Sequence, residues 1–284
     1  SREIQLLKAP MGQVAEKSYW RQLDGLRALS VAAVAWSHWR RHWFGESIIP
    51  YGELGVDAFF VISGFLITGI LLNHRSEDRK WFLLKQFYTR RFLRIFPLFY
   101  ATLLVAFVWQ AAGMGESWRW HITYLSNVYF YLHGWHGQLS HFWSLAVEEQ
   151  FYLFWPLLMV FLPGRFLLPA ILTGIGLAPV FEIAMDSFYP SHAAGLSASV
   201  LMPSCLGGLG IGALLAYGAL QKHPMQRLSI KLLALGMAGG LVCVFFHLPN
   251  CLHRLAEDCL LGWLVCSAAI GFRGPFGWLL ESAP

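Results

Sequence analysis

Apolar runs long enough to enter a bilayer recur along the chain, separated by short polar loops that are often basic. The first extends from about Leu26 to Trp43, the second from Val56 to Leu72, and the third from about Ile95 to Ala112. Residues 120–132 are apolar but short, whereas Phe142 to Leu162 is long enough to cross. Further runs lie near 166–183, 201–220, 232–248 and 259–272. A helix needs about 20 apolar residues to span the hydrocarbon core. The pattern therefore predicts an all-α, polytopic transmembrane helical bundle of about nine apolar segments, with 120–132 as a short or re-entrant helix.

The loops set an orientation. Residues 1–21 carry Arg2, Lys8, Lys17 and Arg21 and read as an amphiphilic cytoplasmic lead-in, leaving 22–284 as one membrane domain. Arg75, Arg79, Lys80, Lys85, Arg90, Arg91 and Arg94 crowd the segment after the second run. Lys and Arg concentrate on the cytoplasmic side, so both segments are expected there, two spans apart, with a cytoplasmic N-terminus. If 120–132 does not cross, Arg165, the loop from Lys222 to Lys231 and Arg273 fall on that side as well.

Composition agrees. The 284 residues are 56% hydrophobic and only 13% charged, where a soluble domain carries about 25% charged residues. The net charge of +5 is spread over loops, which argues against a nucleic-acid partner. Cys205, Cys243, Cys251, Cys259 and Cys266 lack metal-ligand spacing and read as small packing residues. A Cys251 to Cys259 disulfide would require that loop to face an oxidising compartment. Gly207, Gly208, Gly210 and Gly212 form a small-residue face suited to close helix packing. The chain opens on Ser1 without a signal peptide and stops as another element begins, so a fragment cut at both ends is expected.

Candidate chemistry centres on the stretch from Gln22 to His38. Arg27 stands at the mouth of an apolar segment and His38 eleven positions on. At about 100° per residue these share one helix face, and at about 1.5 Å per residue they are roughly 16 Å apart, about half a hydrocarbon core. The expectation is a cation at the membrane surface and an imidazole deep below it, both lining one cavity. A snorkelling arginine and a hydrogen-bonded core histidine give the same pattern. Intramembrane ionisable groups nevertheless point to function by default.

Other polar groups interrupt the apolar runs. Asp24, three residues before Arg27, caps the helix or pairs with that arginine. Asp57 opens the second span as a cap or as a site carboxylate. Ser63-Gly64 supplies a donor and a place for close backbone approach, or simply helix packing. Arg90, Arg91 and Arg94 are either a positive-inside anchor or a cluster able to fork onto phosphate. Glu148 and Glu149 point about 100° apart on a helix, so only one is expected to face the interior, where it would orient His38 or form a structural polar knot.

Four strings in order resemble the membrane acyltransferase 3 family of integral-membrane O-acyltransferases. They are Leu23-Asp-Gly-Leu-Arg-Ala-Leu with Arg27-x10-His38, Gly55-Val-Asp-Ala-Phe-Phe-Val-Ile-Ser-Gly-Phe-Leu-Ile-Thr68, Arg90-Arg-Phe-Leu-Arg-Ile-Phe-Pro97, and Phe142-Trp-Ser-Leu-Ala-Val-Glu-Glu-Gln-Phe-Tyr152. They cover roughly residues 20–160, and the remainder matches only as hydrophobic spans. Family members continue into a segment of Ser-Tyr-x-x-Tyr-Leu-x-His type, so the membrane domain is expected to be C-terminally incomplete.

The resemblance implies transfer of an acyl group, commonly acetyl, from acetyl-CoA or another acyl-CoA to a hydroxyl. The acceptor would be a glycan, a lipid-linked sugar or a macrolide-like molecule, and the setting a bacterial inner membrane and its lipid. It marks His38, Asp57, Ser63, Trp143, Ser144 and Glu148 as catalytic candidates and Arg27, Arg90, Arg91 and Arg94 as donor-binding candidates, with no metal. His38 would act as general base or as acyl relay. A proton-coupled transporter or exporter is the rival reading of a His, an Asp and a Glu in a bundle. Coupled carriers usually place matching broken helices in both halves, whereas the polar groups noted here crowd the first half.

Overall fold

The structure is a computed structural model that describes residues 20–44, 51–75, 79–111, 114–135, 137, 139–188 and 197–282, with side chains at 41–44 excluded. The expected lead-in over 1–21 therefore lies, apart from Trp20 and Arg21, outside the described residues. The elements are α1 (Arg21–Phe44), α2 (Tyr51–Asn73), α3 (Lys80–Val108), α4 (Met114–Ile122), α5 (Ser126–His133), α6 (Phe142–Phe161), α7 (Gly164–Phe188), a 3₁₀ turn (Ala198–Val200), α8 (Leu206–Leu220), α9 (Met225–Phe246), α10 (Asn250–Ile270) and α11 (Pro275–Glu281). No strand occurs among the described residues.

Helix α2 is the hub, buried over most of its length, and it crosses α8 at very short range. Glycine makes that approach possible: a Cβ on Gly64 would run into the Leu209 carbonyl, and one on Gly212 into the Val61 carbonyl. Lipid tails are as apolar as leucine, so helices in a bilayer gain more from close backbone packing than from hiding apolar surface. The expected small-residue face on α8 has this role. Helices α3 and α9 instead turn Leu98, Val108, Phe245 and other large apolar groups outward, as a lipid-facing surface requires.

Fewer helices satisfy the length and apolarity of a span than the roughly nine segments expected. Helices α2, α3, α7 and α9 do, and the pair α10 and α11, bent by 81°, makes a fifth. The shortfall has local causes. Helices α1 and α6 are 24 and 20 residues long but carry Asp24, Arg27, His38, Glu148, Glu149 and Gln150. Helix α8 has 15 residues. The 120–132 segment divides between α4 and α5, of 9 and 8 residues, neither long enough to cross. Helix α3 begins at Lys80 rather than near Ile95, so Pro97 falls inside it rather than in its first turn.

The bend after α10 falls at Gly271 and Gly274, both at positive φ. It returns α11 against the start of α1, where Gln22 accepts from the Phe272 amide at 2.6 Å and donates to its carbonyl at 3.1 Å and to Glu281 at 2.8 Å. All five cysteines are free thiols.

Candidate active site

A cavity of about 690 Å³ opens at the end of the bundle where α1 finishes and α2, α6 and α10 begin. Its volume falls in the range of about 300–1,000 Å³ typical of small-molecule sites. His38, Asp57, Trp143 and Ser144 line it, and so do residues that the sequence motifs left out: Glu53, Trp135, His141, Glu182, His253, Arg254 and Glu257. The His38 ring is exposed and stands 5.6 Å from the His141 ring, edge to face. Trp143 meets Phe60 at 6.1 Å and Trp135 at 6.3 Å, forming an aromatic wall.

Asp57 is not a cap. Helix α2 starts six residues earlier, at Tyr51, which places Asp57 in the second turn and buries it. Its Oδ1 accepts from Arg254 Nη2 at 2.7 Å and Nε at 3.2 Å. Arg254 Nη1 also donates to the Ser199 carbonyl at 2.8 Å. Glu182, likewise buried, accepts from Ser197 at 3.1 Å. The cavity thus joins the first half of the chain to the second through one buried ion pair. Ser144, by contrast, donates to the His141 carbonyl at 3.2 Å, as an exposed first-turn hydroxyl does.

A second polar site lies deeper. Glu148 stands one helical turn beyond Ser144, about 6 Å along α6, and Ser63 six residues beyond Asp57, about 9 Å along α2. Ser63 donates to Glu148 at 3.0 Å, and the Tyr152 hydroxyl donates to its other oxygen at 2.8 Å. The Arg91 guanidinium lies 4.3 Å from the centroid of the Tyr152 ring. Arg27, paired with Asp24 at 3.5 Å, adds positive potential at Glu148. Glu149 turns elsewhere, its Oε1 buried without a partner. Only one of the adjacent glutamates faces α2, as helix geometry requires.

The sequence-derived site is therefore divided in two. Glu148 is held by Ser63 and Tyr152, one at each oxygen. Arg27 and His38 do not line one cavity, since His38 borders the open one and Arg27 does not. Gly52 lies beside Ser37 and Gly55 beside Ser30 and Val34, so antiparallel pairing sets Arg27 opposite the middle of α2 and His38 opposite its start. Of the three clustered arginines Arg91 alone turns inward, while Arg90 and Arg94 are exposed on the first half of α3. Gly64 is the point of close approach expected of it, and the Ser63 hydroxyl donates to Glu148.

Arg254 was the principal omission. An Arg and an Asp258 four positions apart within an apolar helix meet the same rule that singled out His38. Tyr152 sits inside a quoted motif, but its phenol gave no signal until α2 was packed beside it.

No solved structure matches this chain. Among curated proteins it is similar to the peptidoglycan O-acetyltransferase OatA of Listeria monocytogenes, 38% identical over 180 residues, which are 57% of this chain and 28% of that protein. The O-acetyltransferase OatA of Staphylococcus aureus is 36% identical over 165 residues, 52% of this chain and 26% of that one. A putative peptidoglycan O-acetyltransferase, YrhL, of Bacillus subtilis is 35% identical over 153 residues, 49% and 23% respectively. The matched stretch thus spans about a quarter of each relative's length. A family profile described as an acyltransferase domain matches residues 20–274, and the chain belongs to that acyltransferase 3 family.

Proposed function

We propose that this chain carries the membrane part of an O-acyltransferase that moves an acetyl group from acetyl-CoA to a glycan hydroxyl in the bacterial inner membrane. The observation that carries the reading is the stacking of two polar sites along α1, α2 and α6, with His38 in the open cavity and Glu148 in the arginine-flanked site beneath. The names of the relatives supply the acetyl group and the glycan.

The deeper site is the donor side, facing the cytoplasm. Arg90 and Arg94, exposed on α3, suit the phosphates of the coenzyme, since planar guanidinium groups fork onto phosphate oxygens. Arg27 and Arg91 flank the line along which the thioester arm would advance, past Ser63 and Glu148, to present its carbonyl beside His38. The cavity is the acceptor side. There His38 takes the proton from the acceptor hydroxyl as its oxygen attacks the thioester carbonyl carbon; the carbon–sulfur bond breaks and the coenzyme thiolate recovers the proton. In the relay form His38 itself holds the acyl group between the two transfers. Trp143 and Ser144, which line the same cavity, would donate to the developing oxyanion.

The test is incubation of membranes holding the full-length protein with acetyl-labelled acetyl-CoA, followed by extraction of lipid-linked and polymeric glycan. Label on glycan that disappears in His38→Ala membranes supports the reading. Equal labelling by the variant removes the imidazole from the chemistry, and absence of label from every acceptor refutes acyl transfer from this donor.

A further inference from the structure

Among the described residues lining the outer cavity are four carboxylates, Glu53, Asp57, Glu182 and Glu257, against one guanidinium, Arg254, and three imidazoles, His38, His141 and His253. Two of those carboxylates are almost entirely buried, Asp57 at 6% and Glu182 at 5% exposure. Each is held by one oxygen only. Arg254 engages Asp57 through Oδ1 with both of its contacts, and Ser197 engages Glu182 through Oε1. The second oxygens, Asp57 Oδ2 and Glu182 Oε2, carry no hydrogen bond among the described residues, and both side chains border the cavity. Both oxygens are therefore free to accept a hydrogen bond from whatever fills the space. Trp135 and Trp143 add flat apolar faces to the opposite wall.

We infer that the cavity selects an uncharged or amine-bearing sugar as acceptor and rejects sugars that carry a carboxylate. Hydroxyl and ammonium groups are donors that satisfy Asp57 Oδ2 and Glu182 Oε2, while the carbon-bound face of a pyranose ring lies against indole. An acceptor carboxylate brings only lone pairs and a like charge into a wall already rich in both, and like-charge juxtaposition is a device by which sites exclude wrong partners. The inference depends on the acyl-transfer reading only in naming the sugar an acceptor; the selectivity is a property of the cavity itself.

Binding is measured without any acyl donor, so that its outcome is separate from that of the transfer assay. Full-length protein in lipid nanodiscs is titrated with three trisaccharides, of N-acetylglucosamine, of glucosamine and of galacturonic acid, and tryptophan fluorescence reports occupancy. The first two are expected to bind at least about tenfold more tightly than the third at low salt, with the gap narrowing as screening increases. Glu53→Gln and Glu257→Gln alter exposed side chains, leave the buried pair intact, and are expected together to reduce the gap to about threefold or less. Equal or tighter binding of the galacturonate, an unchanged gap in the double variant, or failure of all three sugars to bind overturns the inference. Loss of acyl transfer with the selectivity intact counts against the proposed reaction and not against the cavity's preference.

Discussion

The two polar sites on the α1, α2 and α6 axis are built in different ways. The deeper one is assembled from the motif-bearing half of the chain: Ser63, Arg91, Glu148 and Tyr152, with Arg27 nearby. Ser63, Glu148 and Tyr152 hydrogen-bond to one another, so these three are satisfied without a ligand. The outer cavity draws equally on both halves, since Arg254 reaches Asp57 across 197 positions of sequence. It leaves carboxylate oxygens open. The contrast teaches that the carboxylate of one site is fixed in advance by the protein's own hydroxyls, while those of the other keep an oxygen for a guest.

The comparison is tested most severely at His38. His38→Ala should lower acyl transfer by about 10²- to 10⁴-fold, the usual loss on removing a general base. The Glu148→Gln variant should keep sugar binding at the cavity intact. If glycan binding fell in Glu148→Gln as far as transfer did, the two sites would be one.

Next is the ion pair that joins the halves. Arg254→Ala leaves Asp57 buried without its partner and is expected to destabilise the fold by about 3–5 kcal/mol. Asp57→Asn combined with Arg254→Gln should recover much of that loss. Thermal unfolding in nanodiscs reads both, and an Arg254→Ala protein as stable as the parent would show that the pair does not connect α2 to α10.

A smaller effect is expected at the deeper site. Tyr152→Phe removes one hydrogen bond to a carboxylate, worth about 1.5–3 kcal/mol where the acceptor is charged. It should act on donor use rather than on sugar binding. A change in sugar affinity with donor kinetics unaltered would reverse the assignment of the two sides.

The smallest effect concerns His121, on the short helix α4 behind the cavity wall. Burial, with His141 nearby, pushes His121 down to about 4 from 6.5. The unfolded chain then binds more protons than the folded one between those values, so stability rises with pH through that window and falls on acidification. Going from pH 7 to pH 5 should cost about 1–2 kcal/mol through this group. His121→Gln should flatten that part of the pH dependence, and an identical profile in the variant would assign the acid sensitivity elsewhere.

Much of this was legible in the chain. Apolar runs gave the helical membrane bundle, because the 3.6-residue repeat and the thickness of a bilayer act on every segment independently of its neighbours. The same local rules separated Glu148 from Glu149, paired Asp24 with Arg27 and marked Gly64 as a point of contact. Sequence did not set depth or company. The start of α3 at Lys80 moved the arginines into the body of a helix. The antiparallel register of α1 on α2 put Arg27 opposite the middle of α2 and His38 opposite its start, at the cavity. Arg254, Glu182 and the bend at Gly271 act only once distant segments are folded together. Periodicity fixes which face of a helix a residue occupies; which neighbour meets that face follows from packing, and packing is a property of the whole molecule.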